Sequence, residues 1–194
     1  MRSDLRGTLR LMRRFAVPAV ISLIVVALLA VLAFGVAQSG PGNALAARVR
    51  RGETPVAPNA HTPLQLLGGG RATLSELRGK VVMVNVFAGW CVACQDEVTQ
   101  IKHAQQVLGQ HGGEVLGVTY QDSSSDAQSY MRKYGLRYPV LLDPGDSWVA
   151  PYGVTGVPET FIIGRDGHVV AANTAQMTSK WLDQALNRAL ETSA

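Results

Sequence analysis

Residues 81–94 read VVMVNVFAGWCVAC. The first seven form a short apolar run that is rich in β-branched residues and is followed by the Ala88-Gly89-Trp90 turn. Such a run, without alternation of polar residues, predicts a strand buried on both faces. Cys91 and Cys94 come next, and a helical pattern extends from them to about residue 109. The stretch therefore predicts a strand–turn–helix unit with a cysteine pair where the helix begins.

These two cysteines are the only ones in the sequence. The N-terminus of a helix presents unpaired N–H groups and a partial positive charge, which stabilise a thiolate and lower the pKa of Cys91. Cys94 lies one turn further along, within reach of a mixed disulfide formed on Cys91. The pattern thus predicts a redox-active pair in which Cys91 attacks and Cys94 resolves.

Other uses of a cysteine pair explain the pattern less well. A structural disulfide would close a loop of only four residues, which constrains little of the unfolded chain. A zinc site would need two further ligands, and the four histidines show no ligand spacing. Two unrelated buried thiols are not expected at this spacing in an oxidising compartment. We therefore favour redox chemistry and predict neither a metal nor a cofactor.

The N-terminal part of the chain predicts a membrane anchor. Residues 15–37 carry no charge, and a helix of that length spans the ~30 Å hydrocarbon core of a bilayer. Five arginines and a single acid precede it, so the positive-inside rule keeps the N-terminus cytoplasmic and places the rest outside. A cleaved secretory signal stays open as the alternative, because Ala44-Leu45-Ala46 has the small-x-small form of a cleavage site. Both interpretations place the domain outside the cytoplasm.

The predicted organisation has four parts. They are a cytoplasmic basic tail (1–14), a single-pass transmembrane anchor (15–37), a linker (38–60) and one domain (61–194). The chain is basic overall, but the domain holds ten basic and twelve acidic side chains. It therefore lacks the basic surface that DNA or RNA binding needs, and a nucleic-acid partner is excluded.

The domain alternates predicted strands and helices before a hairpin and a closing helix. This order predicts an α/β sandwich with a central mixed sheet flanked by helices. Beyond the cysteine helix, the predicted strands are 115–120, 138–142, 159–163 and 168–172, and the predicted helices are 122–134 and 178–190.

Two blocks of the domain resemble a known family. Residues 73–91 (TLSELRGKVVMVNVFAGWC) and 152–163 (YGVTGVPETFII) are similar to two blocks of the TlpA/ResA/DsbE branch of the thioredoxin superfamily. The resemblance covers essentially all of 61–194. It implies a thioredoxin-like fold and a thiol–disulfide oxidoreductase that is tethered outside the cytoplasmic membrane.

The resemblance also implies roles for single residues. Pro158 matches the cis-proline beside the cysteine pair, which would leave the backbone of Val157 free to pair with a substrate peptide. Glu97 matches an acid on the active-site helix that tunes the thiols and relays protons; a solvated acid on the helix face is the alternative.

Three further positions match the family. Trp90 is the aromatic residue that flanks the nucleophile, with plain surface packing as the alternative. Glu159 matches the acid after the cis-proline in members that serve cytochrome c maturation. Asn85 stands where cytoplasmic thioredoxins keep a buried Asp. Thr99 stands where many members have a proline, so a kink in the active-site helix is not implied.

The function expected from the resemblance is reduction of protein disulfides, with a disulfide-bearing apocytochrome c as the implied substrate class. A transmembrane thiol carrier is expected to supply the electrons. Three alternatives remain: a disulfide-donating oxidase, a thiol peroxidase and a non-catalytic tethered binding module.

Overall fold

The computed structural model describes residues 20–31 and 44–191. The chain divides into two units, residues 1–40 and 41–194. In the first unit, residues 20–31 form helix α1, whose large apolar side chains are exposed. None of the described helices is both long and apolar enough to cross a membrane. The predicted tail and the remainder of the predicted anchor lie outside the described residues.

From residue 82 onward, the second unit alternates strands and helices in the predicted order; one α-helix and two short strands precede this part and were not predicted. Its strands are β1 Leu64–Leu66, β2 Arg71–Ala72, β3 Val82–Phe87, β4 Glu114–Thr119, β5 Val140–Leu142, β6 Glu159–Ile163 and β7 Val169–Asn173. Its α-helices are α2 Ala44–Arg50, α3 Val92–Asp96, α4 Val98–Gln110, α5 Ser124–Tyr134 and α6 Ser179–Glu191. Short 3-10 helices cover Leu74–Leu77 and Ala150–Tyr152.

The strands form one mixed sheet in the order β2-β1-β5-β4-β3-β6-β7. β3, β4 and β5 are parallel, whereas β6 pairs antiparallel with β3 and β7 pairs antiparallel with β6. All six residues of β3 are buried, so the predicted strand buried on both faces is confirmed. The predicted hairpin of β6 and β7 is confirmed as well.

Side chains of β3 point alternately to two hydrophobic cores. Met83 and Phe87 belong to the core that also holds both cysteines and the buried faces of α4, α5 and α6; we call it the cysteine-side core. Val84 and Val86 belong to the opposite core, which is closed by α2 and by Trp148 and Tyr152 near the second 3-10 helix. The sheet is therefore covered on both faces, as its apolar strands require.

The helix predicted from 91 to 109 is interrupted. α3 ends at Asp96 and α4 begins at Val98, so Glu97 separates the two helices. No proline or glycine marks this break, so the sequence pattern did not reveal it. The helix predicted to end at Gly135 is α5; its N-cap is Ser123, and Gly135 adopts the left-handed conformation that ends helices.

Part of the predicted linker is folded. Residues 44–50 form α2, in which Leu45 and Ala46 are buried. Leu45 belongs to the opposite core, and so does Ala57. Val56 then forms a single antiparallel bridge with His168, just before β7, and the N–H of Ala57 donates to the carbonyl of Gly167. A seven-residue helix is too short to produce a recognisable apolar period, which explains why the sequence indicated a solvated tether.

We expect Gly117 to tolerate no side chain. A Cβ at this position in β4 would lie 2.9 Å from the Tyr138 ring and 3.0 Å from Phe87 and Val140. Gly117→Ala should lower the free energy of unfolding of the oxidised protein by about 1–3 kcal/mol, because the core is already filled. Urea unfolding measures this. The matched control is Gly109→Ala in α4, where an added Cβ would have no atom within 4 Å beyond its neighbours in the helix backbone. This substitution should raise the free energy of unfolding by up to about 1 kcal/mol. Equal stability of Gly117→Ala and the unmodified protein would contradict the packing described here.

Candidate active site

The cysteine pair closes the first turn of α3. Cys91 and Cys94 form a disulfide, with their Cα atoms 5.3 Å apart. Cys91 is the N-cap of α3, and its Sγ accepts a hydrogen bond of 3.0 Å from the backbone N–H of Cys94. Cys91 is 4% exposed and Cys94 1%. The same N–H group can stabilise a Cys91 thiolate once the disulfide is opened, so the attacking role predicted for Cys91 has a geometric basis.

The turn before Cys91 is held by the loop between β4 and α5. The backbone N–H of Gly89 donates to the Asp122 carboxylate at 2.7 Å, and the Trp90 indole N–H donates to the carbonyl of Gln121 at 3.0 Å. Burial raises the pKa of Asp122, although the hydrogen bonds from the backbone N–H groups of Gly89 and Ser123 oppose the shift. Trp90, which precedes the first cysteine, remains 56% exposed. It is therefore a surface residue whose indole N–H is held by a hydrogen bond. In the sequence, Asp122 is only the first residue of the predicted helix 122–134.

Glu97 is buried three residues after Cys94. Its side chain is 1% exposed, which is incompatible with the alternative of a solvated acid on the helix face. One carboxylate oxygen accepts a hydrogen bond from the backbone N–H of Met177, and the other has no hydrogen-bond partner in the described part of the chain. Burial raises the pKa of Glu97 from 4.5 to about 7, although the Met177 bond opposes the shift. A carboxyl group with this pKa exchanges protons readily near neutral pH.

The loop that ends at Pro158 lies next to the cysteine turn. The Val157–Pro158 peptide bond is cis, as the resemblance implies. Val86, near the end of β3, lies opposite Glu159 in β6, so the residues after β3 and those before β6 meet at one edge of the sheet. Pro158 is buried, and Val157 is half-buried and packs against both cores.

Glu159 and Asn85 do not lie together. Alternation along β6 places Glu159 on the same face as Phe161, which belongs to the opposite core. Its carboxylate accepts the backbone N–H of Thr155 at 3.2 Å and therefore fixes the loop before Pro158; burial raises its pKa. Asn85 lies on the cysteine side of the sheet, and its side-chain NH₂ is 3.5 Å from the hydroxyl of Thr160.

Two residues that hydrogen-bond to the site have no signal in the sequence. The Tyr130 hydroxyl, on α5, donates to the carbonyl of Cys94 at 2.7 Å. Met177, in the loop before α6, holds the Glu97 carboxylate. Tyr130 falls within the predicted helix 122–134, but no local signal in the sequence indicates a partner 36 residues away.

Comparisons with known proteins agree with this geometry. The Redoxin family model matches residues 52–190. The thiol-disulfide oxidoreductase ResA of Bacillus subtilis (strain 168) is 31% identical over 124 residues, which cover 64% of this chain and 69% of that protein. The thiol:disulfide interchange protein CycY of Rhizobium leguminosarum bv. viciae is 32% identical over 128 residues, covering 62% of this chain and 67% of that protein.

A solved structure is similar over the whole domain. The crystal structure of a putative thiol:disulfide interchange protein DsbE from Chlorobium tepidum has a TM-score of 0.65 and 26% sequence identity, and covers 71% of this chain and 97% of its own. The sheet and its flanking helices are therefore thioredoxin-like, as the resemblance implied.

The buried carboxyl group makes the stability of the protein depend on pH. Because the pKa of Glu97 is about 7 in the folded state and 4.5 is its ordinary value, the unfolded chain releases this proton first. The stability contributed by protonated Glu97 is thus complete below pH 4.5 and is lost as the pH rises towards 7. Glu97→Gln, which keeps an oxygen for Met177, should remove this decline and be the more stable protein at pH 8.

Urea unfolding of the oxidised proteins between pH 4.5 and 8 measures this difference. Glu191→Gln, which removes an exposed carboxylate at the end of α6, is the matched control and should keep the decline. A Glu97→Gln variant with the same pH dependence as the unmodified protein would show that Glu97 is not the group responsible.

Proposed function

The chain belongs to the Redoxin family and is a thiol–disulfide oxidoreductase, and from this premise we propose that it reduces disulfides of protein substrates outside the cytoplasm. One observation carries the proposal: a nearly buried Cys-x-x-Cys pair is followed, three residues after Cys94, by the buried carboxyl group of Glu97. The cysteine pair supplies the two electrons that reduce the substrate, and the carboxyl group of Glu97 accepts and releases a proton.

The first step is attack by the Cys91 thiolate on a substrate disulfide. A bond forms between Cys91 Sγ and one substrate sulfur, the substrate S–S bond breaks, and the other substrate sulfur leaves as a thiolate that takes up a proton. The Cys94 N–H that faces Cys91 Sγ favours this thiolate. The exposed Trp90 ring and the Val157 backbone are the surfaces we propose for contact with the substrate chain.

The second step releases the substrate. Cys94 gives its proton to Glu97, and the resulting thiolate attacks Cys91 Sγ. The Cys91–Cys94 disulfide forms, the mixed disulfide breaks, and the second substrate sulfur leaves and is protonated. The substrate disulfide has then gained two electrons and two protons. The protein has lost two electrons and both thiol protons: the Cys94 proton leaves through Glu97, which returns to its ionised form, and the Cys91 proton left when its thiolate formed. A pKa of about 7 leaves Glu97 partly ionised at neutral pH, as a proton acceptor requires.

The surroundings of the pair support the direction of electron flow. A strong oxidant keeps its reduced form stable, and cationic neighbours that stabilise a thiolate achieve this. Here two carboxyl groups are tied to the cysteine turn: Glu97 follows Cys94 by three residues at the end of α3, and Asp122 accepts the backbone N–H of Gly89. Negative charge from these groups opposes a thiolate and favours the disulfide form, which makes the dithiol a reductant.

We further propose apocytochrome c with oxidised cysteines as the substrate class, and a transmembrane dithiol carrier as the electron donor. The resemblance of the two sequence blocks supports both. The uncharged run 15–37, with its preceding arginines, supports a single-pass anchor with a cytoplasmic N-terminus. The domain would then act at the outer surface of the membrane.

Substitution of the resolving cysteine should trap the substrate. Cys94→Ser, reduced and mixed with apocytochrome c that carries an internal disulfide, is expected to accumulate a mixed disulfide on Cys91, because nothing releases it. Electrophoresis with and without dithiothreitol, followed by mass spectrometry, measures the adduct. Cys91→Ser is the matched control and should give at least about tenfold less adduct, since Cys94 lacks the helix-end position that activates a thiol. Equal trapping by both variants would contradict the assigned roles.

The reduction potential tests the direction. For the full chain in detergent, equilibrated with defined thiol buffers, we expect a value near or below the roughly −270 mV of thioredoxin. Glu97→Gln should raise the potential, by on the order of 30 mV for a tenfold change in the equilibrium constant, because a negative charge near the thiols is lost. A value near about −120 mV would identify a disulfide donor instead.

A further inference from the structure

Both polar backbone groups of Cys94 are used. Its N–H donates to Cys91 Sγ at 3.0 Å, and its carbonyl accepts the Tyr130 hydroxyl at 2.7 Å, at the usual distance for an O–H···O bond. One residue thus connects the attacking sulfur to a side chain of α5. Tyr130 lies 36 residues away in sequence.

The interruption of the helix explains why this carbonyl takes a side-chain partner. The last four carbonyl groups of a helix accept no hydrogen bond from the N–H groups of that helix. Cys94 is among the last four residues of α3. The carbonyl is also buried with its residue, where an unpaired polar group would cost free energy. The Tyr130 hydroxyl supplies the missing hydrogen bond.

Tyr130 is itself held firmly. It is buried, and its ring packs against two others. The ring centroids are 5.1 Å apart for Phe87, the last residue of β3, and 5.0 Å apart for Tyr134. Phe87 leads directly into the cysteine turn. The hydroxyl is therefore presented from a fixed element to the end of the short helix that carries both cysteines.

We propose that Tyr130 is a positioning residue for the redox pair: its hydroxyl anchors the carbonyl of Cys94 and so restrains the backbone of this residue, which keeps the N–H of Cys94, in the preceding peptide unit, directed at Cys91 Sγ in the reduced protein. In the oxidised protein the disulfide already imposes this arrangement. When the disulfide opens, that covalent link is gone, and the hydrogen bond to the carbonyl is what keeps the N–H in place. The inference rests on the proposed function, because it concerns the reactivity of the same dithiol.

Other charged groups around the turn must be separated from this effect. Glu97 lies between α3 and α4, Asp122 and Asp126 approach Gly89 from the β4–α5 side, and Glu159 comes from β6. Lys133 lies on the next turn of α5, over the Tyr134 ring. All of them remain when only the Tyr130 hydroxyl is removed. Glu97 needs its own control, because it interacts electrostatically with Tyr130.

The test uses Tyr130→Phe in the full-length chain. The reduced protein is alkylated with iodoacetamide over a range of pH, and tandem mass spectrometry assigns the label to Cys91 or Cys94. Loss of the hydroxyl should raise the pKa of Cys91 by about half a unit, which lowers its alkylation rate about threefold below the midpoint. Tyr134→Phe is the matched control, since its hydroxyl donates to the Gln95 side chain and not to the backbone; it should leave the profile unchanged.

The same substitution in a Glu97→Gln background separates two routes. A shift that persists there supports the inference, because the hydroxyl then acts through the Cys94 carbonyl. A shift that disappears overturns it, because the hydroxyl would act through Glu97. An unchanged profile for Tyr130→Phe in the otherwise unmodified chain also overturns it.

A measurement on the unmodified protein guards against a variant that does not fold. In the reduced state, NMR should show the Tyr130 hydroxyl proton protected from exchange and coupled to the Cys94 carbonyl carbon; loss of that coupling on reduction would overturn the inference. The alkylation profile requires no protein substrate. A chain that shows the shift but reduces no protein disulfide would therefore contradict the proposed function alone.

Discussion

The antiparallel register of β3 against β6 is the constraint on which the active site depends. Val86 lies opposite Glu159, so the turn that leaves β3 and the loop that enters β6 reach the same edge of the sheet. The first carries the cysteine pair and the second carries the cis Val157–Pro158 bond. A shift of one residue would turn every side chain of β6 to the other face, and burial of Phe161 and its neighbours prevents it.

Around this edge the protein keeps polar groups that an apolar core would not need. Burying the Glu97 carboxyl group disfavours its ionised form, and the Met177 N–H compensates only in part. The Tyr130 hydroxyl is likewise buried, but it is used by the Cys94 carbonyl. These buried polar groups lie where the redox chemistry needs them. The apolar residues of the two cores offset the free energy that burying them costs.

Periodicity and turn residues predicted most of the sheet. The apolar run of β3, the hairpin around residues 165–167 and the capped α5 were all evident, because each depends on residues close in sequence. The break at Glu97 and the folding of α2 were not. Neither has a local signal: α2 gains its stability from burying Leu45 against the opposite core, and the break is held by contacts from α5 and the loop before α6.

The sequence by itself determined the chemistry: a strand, a tight turn and two cysteines three residues apart place a reactive thiol at a helix end wherever the rest of the chain goes. Only the tertiary structure decided how that thiol is tuned. Burial in the core raises the pKa of Glu97, and the hydrogen bond from Met177, 80 residues away, opposes that shift. Tyr130 reaches Cys94 across 36 residues. A pKa is set by desolvation and by hydrogen bonds in space, and neither is encoded in local sequence.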